Sequence, residues 1–292
     1  MGLDINAVQF LIAARREGMD LGDVLTLGRQ DLNVYPAKMH AVLAKHGFPS
    51  EAFSSGGQAT LYAEPLFKSL GAKNVFSLDA SDFEGAKFVH DLNQPLPPEL
   101  RERFDLVLDG GTLEHVFNFP LALKNCMEML RPGGRFISHT CANNWCGHGF
   151  YQFSPELFYR AFSAENGFMM ERMVIHRVGP YGRWYEVADP GAIRSRVEVL
   201  SFTPLQLLVR ARRDKVAPVF ATAPQQSDYT PRWDEGAGGA KALANRYTPP
   251  RPKLAKFLPG VSRLLNVLKI GAGIYHTHSL RNRKRFRPVP RP

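Results

Sequence analysis

One stretch constrains this chain more than any other: Phe104 to Thr140, FDLVLDGGTLEHVFNFPLALKNCMEMLRPGGRFISHT. Phe104, Leu106, Val107 and Leu108 form a short apolar run that stops at Asp109-Gly110-Gly111. A run of that kind, closed by a turn signal, is what a buried strand of a parallel sheet looks like. Beyond it Leu113, Val116, Phe117, Leu121, Leu123, Met127 and Leu130 recur mostly at three- and four-residue steps, which predicts a helix with Glu114 and His115 one turn in. Arg131-Pro132-Gly133-Gly134 ends that helix, because proline cannot continue it and glycine accepts a left-handed exit. Arg135 to His139 then predicts the next strand. Strand, crossover helix and strand make a βαβ unit with a parallel pair. Ligands of such sheets bind at the carboxyl ends of the strands, here Asp109-Gly110-Gly111 and His139-Thr140.

The flanking sequence extends the pattern. Residues 5–16 suit a short helix, and Asp23 to Leu27 reads as a first strand running into Gly28-Arg29-Gln30-Asp31. Tyr35 to His46 reads as helical and Gln58 to Leu70 as a second helix kinked at Pro65. Asn74 to Leu78 predicts a strand ending in Asp79, and Ala80 to Gly85 an acidic turn. Lys87 to His90 predicts a third strand, followed by Asp91-Leu92-Asn93-Gln94-Pro95.

Taken together, FDLVLDGGTLEHV, a helix and LRPGGRFI resemble strands four and five of class I S-adenosylmethionine (SAM)-dependent methyltransferases that carry an LEH element. The resemblance covers roughly the first two thirds of the chain. It implies a Rossmann-like α/β sheet, mostly parallel, with an antiparallel edge hairpin and helices on both faces. It implies SAM as cofactor, with Gly28, Arg29 and Gln30 in the loop after the first strand. That loop holds one glycine where the family pattern has two or three. Asp79, with Ala80 beside it, matches the ribose-binding position, where a carboxylate accepts from both hydroxyls; the alternative is an ordinary turn-former. Asp91 and Leu92 match the adenine-contacting pair. Asp109, Gly110, Gly111, Glu114 and His115 match the element that closes the cofactor site, although a helix-start acid and a backbone-satisfied histidine fit Glu114 and His115 equally well.

The loop Cys141 to Phe153 is rich in polar and aromatic groups, and its family counterpart faces the methyl acceptor. His148 is the catalytic candidate there, a base for an acceptor hydroxyl, because an imidazole titrates near working pH; a hydrogen-bonded structural histidine is the alternative. His139, Cys141, Cys146 and His148 together offer soft ligands, but their spacing is no zinc ribbon or finger and no metal is expected. Ser154-Pro155-Glu156 opens another helix with cap, proline and first-turn acid in order. Phe168 to Val178 predicts a strand, and Val197 to Phe202 with Leu205 to Val209 predicts the edge hairpin. Arg210-Ala211-Arg212-Arg213 reads as a solvated strand end closing a domain over 1–213.

Charge enters the argument through its position. The chain of 292 residues has a net charge of +10, but eleven Lys or Arg and no acid fall between Arg251 and Pro292. The body before it is therefore near neutral, and the basic character describes a tail. Residues 214–252 lose periodicity and predict a flexible linker. Residues 253–270 carry a basic amphipathic pattern suited to an anionic membrane surface or to packing on the body. The final RNRKRFRPVPRP predicts disorder. No nucleic-acid-reading motif is present. Three cysteines make no disulfide framework, and no stretch has the length of a membrane span. A cytoplasmic setting, with peripheral membrane contact through 253–292, is the expectation. The leading reading is methyl transfer to a small-molecule or glycan acceptor. A binding scaffold that kept the fold without catalysis is the alternative, motivated by Arg29-Gln30, and a membrane-peripheral protein led by its tail is the third.

Overall fold

The computed structural model describes residues 2–54, 62–180, 182–229, 268, 271 and 277–292. Asp4 starts the first helix, α1 (Ile5–Arg16), by accepting from the backbone N–H groups of Asn6 and Ala7 at 2.8 and 2.9 Å. That side chain satisfies donors the helix itself leaves open. The strand β1 (Gly2–Leu3) precedes it and pairs with β3 (Asp31–Leu32) in a small parallel sheet. The main sheet begins with β2 (Asp23–Leu27) and continues through β4 (Asn74–Asp79), β5 (Phe88–Val89), β6 (Phe104–Asp109) and β7 (Leu130–Asn143). It is completed by β8 (Phe168–Arg177), β9 (Trp184–Val187), β10 (Leu205–Arg213) and β11 (Phe286–Val289).

These nine strands stand in the order β11-β9-β8-β10-β7-β6-β2-β4-β5. From β5 to β7 all neighbours are parallel, and from β7 to β11 all are antiparallel. Both faces are covered. Leu25, Leu27, Val107, Phe136, Leu207 and Val209 point into one core shared with α4 (Phe119–Met129) and α5 (Pro155–Ala161). Val24, Leu106, Leu108, Ile137 and Leu208 point into the other, under α1, α2 (Pro36–Lys45) and α3 (Glu64–Ser69). This alternation is why the central strands β2 and β6 read as continuous apolar runs: nearly every residue in them is buried, on one face or the other. The short α6 (Pro190–Ile193) lies outside this layering. The fold class read from the sequence, a Rossmann-like α/β sheet with helices on both faces, is the one observed.

Several local expectations are corrected. Glu114 and His115 sit in a single 3₁₀ turn, Leu113–His115, and the helix begins only at Phe119, with Pro120 in its first turn. Proline favours a helix start, so it pulls the boundary past the LEH residues. Arg131 to Gly134 is not a helix-ending loop; it opens β7, with Gly133 at φ +86°. The antiparallel part exceeds one hairpin, and Val197 to Phe202 is no strand. β10 instead inserts between β7 and β8. The helix expected from Gln58 spans only Glu64–Ser69 among the described residues, with Pro65 in its first turn, and residues 55–61 lie outside them.

The Arg cluster closing β10 is not solvated. Arg210 pairs with Glu17 at 2.7 Å and Glu171 at 2.8 Å, and Arg213 is buried with its guanidinium donating to the Leu130 carbonyl at 2.5 Å. Residues 214–229, expected to begin a linker, pack on the body: Val219 is buried, and the Phe220 N–H donates to Asn166 at 2.9 Å. The final residues are not disordered either. Phe286 to Val289 pair antiparallel with Val187 to Trp184 as the last strand of the sheet. The amphipathic pattern at 253–270 falls almost wholly outside the described residues. Among the described residues no helix is long and apolar enough to cross a membrane.

Candidate functional site

The chain leaves β2 for β4 on one side and returns through β6 on the other, so β2 and β6 flank a topological switch point. In open α/β sheets the crevice at such a point, outside the carboxyl ends of the strands, is where ligands sit. The register aligns those ends across the sheet: Leu78 faces Leu27, Leu27 faces Asp109, and Asp109 faces Ser138. Gly28 follows at φ +69°, a conformation glycine adopts without strain, and its N–H donates to the Leu78 carbonyl at 2.7 Å.

The two loops at the switch point are tied together. The Leu27 carbonyl accepts from Gln30 Nε2 at 2.5 Å and from Thr112 Oγ1 at 2.7 Å. Gln30 is buried, and its Oε1 has no hydrogen-bond partner among the described residues. That oxygen lies where a Cβ on Gly110 would fall, 2.0 Å from the ideal position, so residue 110 must be glycine while Gln30 holds this rotamer. Arg29 turns away. It pairs with Glu64 at 2.7 Å and stacks on Tyr62 at 3.8 Å, on one wall of a cavity of about 170 Å³ that Phe67, Phe76 and Lys87 also line.

Asp79 ends β4, half-buried, and its carboxylate has no hydrogen bond or ion pair among the described residues. Ala80 beyond it is exposed. Asp91 is exposed, and its Oδ1 accepts from the backbone and side-chain N–H groups of Asn93 at 2.9 and 2.8 Å. The backbone bond from Asn93 is the main reason its pKa falls below the usual value. Leu92 is buried beneath it.

Asp109 occupies a different place from the other acids. It is fully buried, accepting from the N–H groups of Thr112 and Leu113 at 2.8 and 3.2 Å and from Ser138 Oγ at 2.7 Å. Burial, with Glu114 nearby, pushes its pKa up to about 6. Its side chain shapes the turn through Gly110 and Gly111 from within and offers nothing to the crevice.

Glu114 is the second buried acid, and burial raises its pKa as well. Its Oε2 accepts from Thr140 Oγ1 at 3.0 Å, and its Oε1 lies 3.9 Å from His148 Nε2. Its carbonyl accepts from the N–H groups of Phe150 and Tyr151 at 2.9 and 3.2 Å, which draws the loop Cys141 to Phe153 down onto the LEH turn. Close approach is built in at Gly149, where a Cβ would meet the Glu114 carbonyl at 2.8 Å and His115 Nδ1 at 3.1 Å. Trp145 Nε1 donates to the Leu205 carbonyl at 2.9 Å and Tyr151 Oη to the Phe117 carbonyl at 2.7 Å, fastening the loop at both ends.

The outcome is a cluster that the sequence did not reveal. The rings of His115 and His148 stand 5.1 Å apart, the His148 ring is 4.9 Å from that of Trp145, and Glu114 lies behind the two histidines. Burial and the neighbouring His148 push the His115 pKa down. The soft-ligand set weighed from the sequence does not converge. His139 is buried near Asp4, 3.7 Å away, and stacks on His176 at 5.7 Å, while Cys141 donates to the Tyr151 carbonyl. Thr140 and Ser138, which hold the two buried acids, were missed. Their spacing of two along a strand, facing the carboxylates that follow the neighbouring strand, was the available signal.

Comparison with known proteins gives partial matches. Residues 57–138 match the family model described as a methyltransferase domain. That match is a likeness of this segment, well under half of the 292 residues. The ubiquinone biosynthesis O-methyltransferase of Nitrobacter winogradskyi is 43% identical over 47 residues, 16% of this chain and 18% of that protein. Its Bradyrhizobium diazoefficiens counterpart is 44% identical over 45 residues, 15% and 18% of the two lengths. The chain thus spans about a fifth of the curated relatives it matches. Among solved structures, the N-methyltransferase NodS from Bradyrhizobium japonicum in complex with S-adenosyl-L-homocysteine is 13% identical, with 73% of this chain and 91% of that one covered at a TM-score of 0.40. A likeness of that degree decides nothing.

Proposed function

We propose that this chain is a SAM-dependent methyltransferase acting on a small-molecule or glycan acceptor. The observation that carries the reading is the row of strand ends at the switch point. Among the described residues Asp79 presents an unengaged carboxylate and the buried Gln30 Oε1 lacks a donor, and Gly28 allows close approach. An adenosine-bearing ammonium ligand fits these groups. Ribose hydroxyls complete Asp79, and an amino group completes Gln30. SAM supplies an electrophilic methyl group when bound.

The remaining work falls to this chain's own residues. Asp79 and Ala80 hold the ribose side, and Asp91 with Leu92 the adenine side. The Gly28 to Gln30 loop and Gly110-Gly111 line the methionine side, where Gln30 replaces a glycine-rich cradle. Asp109 holds the turn from beneath, and Glu114 with His115 fastens the acceptor loop. His148 takes the acceptor's proton at Nε2, with Glu114 3.9 Å away to steady the charged ring. Transfer needs chiefly in-line placement of nucleophile and methyl, so a short list of polar groups suffices. The names of the curated relatives favour oxygen as the attacked atom.

Calorimetric titration with SAM and with S-adenosyl-L-homocysteine tests the reading, wild type beside Asp79→Ala. Two charge-assisted hydrogen bonds contribute about 2–4 kcal/mol between them, so the variant should bind roughly 30- to 1,000-fold more weakly. Absence of binding by the wild type at millimolar ligand would instead favour the scaffold reading.

A further inference from the structure

The cluster at the acceptor loop has more ligand character than a base and its partner require. Glu114, His115 and His148 each offer one ligand atom, and these atoms all lie within 4.8 Å of one another. Two imidazoles and one carboxylate are the donor set that borderline divalent ions favour. In a tetrahedral zinc site with bonds of about 2.1 Å, neighbouring ligand atoms stand roughly 3.4 Å apart. The Glu114 Oε1 to His148 Nε2 distance of 3.9 Å needs only a small contraction to reach that value. His148 can supply it, because it lies on an exposed loop with its side chain 43% accessible.

The surroundings fit a cation in three further respects. The carboxylate is oriented from behind by Thr140 Oγ1 at 3.0 Å, as outer partners orient metal-bound carboxylates. Glu114 is almost completely buried, and among the described residues no Lys or Arg pairs with it; the basic groups beside it are the two histidines. Both imidazoles are exposed, so an ion enters from solvent without unfolding the loop. Three protein ligands leave a fourth position open toward solvent or the acceptor.

We propose that Glu114, His115 and His148 form a binding site for a zinc-class divalent cation, and that occupancy switches the enzyme off. The second half rests on the methyltransferase reading. The Nε2 lone pair that takes the acceptor's proton is the one the ion engages, so the two roles exclude each other. Metal-free protein has its base, and metal-bound protein does not.

The test uses the full chain without an affinity tag, titrated with Zn²⁺ in competition against a chromophoric chelator. One tight site per chain is expected. His115→Gln and His148→Gln, both at exposed positions, should each weaken it at least about tenfold, and Cys146→Ser should leave it unchanged. Circular dichroism verifies that each variant is folded. Absence of a stoichiometric site, or wild-type affinity in either histidine variant, overturns the proposal, as does loss of binding in Cys146→Ser. Calorimetry with SAM runs alongside. Zinc binding without SAM binding would sink the enzyme reading and keep the site, and SAM binding without zinc binding would do the reverse.

Discussion

Asp109 offers the most direct check on the physical account of the site. Its carboxylate is wholly buried and accepts three hydrogen bonds, from the N–H groups of Thr112 and Leu113 and from Ser138 Oγ. Asp109→Ala would strand all three donors away from water. A buried donor left unpaired costs about 1–3 kcal/mol, and relief of the buried charge returns part of that sum. The net loss should be about 3–5 kcal/mol. Asp109→Asn is the informative partner. Its Oδ1 can keep the two backbone donors, and its Nδ2 can donate to Ser138 once that hydroxyl rotates to accept, so the loss should stay within about 1 kcal/mol. Urea denaturation of the three proteins measures both differences, with the slope against denaturant unchanged if only stability moves. A loss under about 1 kcal/mol for Ala, or equal losses for Ala and Asn, would show that the turn does not depend on this acceptor.

Two other outcomes follow from buried groups elsewhere. His176 is buried against His139, and desolvation first, then His139, presses its pKa down to about 4. In the unfolded chain it titrates near 6.5, so between those values the unfolded state binds the extra proton and stability falls as pH falls. The full span is about 3 kcal/mol, and none of it is lost above pH ~6.5. Denaturant melts at stepped pH, taken as the difference between wild type and His176→Leu, isolate this slope; a flat difference would refute it. Phe286 is fully buried although it lies only six positions before Pro292. Phe286→Ala should cost about 3–5 kcal/mol in a thermal or urea melt, and a value near zero would mean the terminal strand is merely laid on the surface.

The parallel half of the sheet was legible because its central strands, Asp23 to Leu27 and Phe104 to Asp109, are buried on both faces and therefore largely apolar. Gly28, Asp79, Asp91 and Gly110 all stand at or just beyond the carboxyl ends of the parallel strands. What stayed hidden depends on contacts distant in sequence. Asp109 reads like any acid after a strand, and only the position of Ser138 on the neighbouring strand turns it inward. Glu114 and His115 gain their character from His148, which a loop of aromatic anchors brings back to them. The Arg-rich end of β10 read as solvated because arginine usually is, but Glu17 and Glu171 wait on adjacent elements. The tail misled for a plainer reason. Its prolines argue against a central strand, yet Pro288 is compatible with an edge, where half the backbone donors face no neighbour.

That terminal strand also bears on how the protein reaches its fold. The Arg287–Glu186 pair across β11 and β9 spans 101 positions of sequence. Closing so long a loop carries an entropic cost before any contact repays it, so this pairing belongs among the late events of folding. Until it forms, β9 presents an unpaired edge, the kind of template on which chains join one another. The arginines and lysine around Phe286, which would repel a second copy approaching that edge, then serve a purpose during folding that the finished structure does not display.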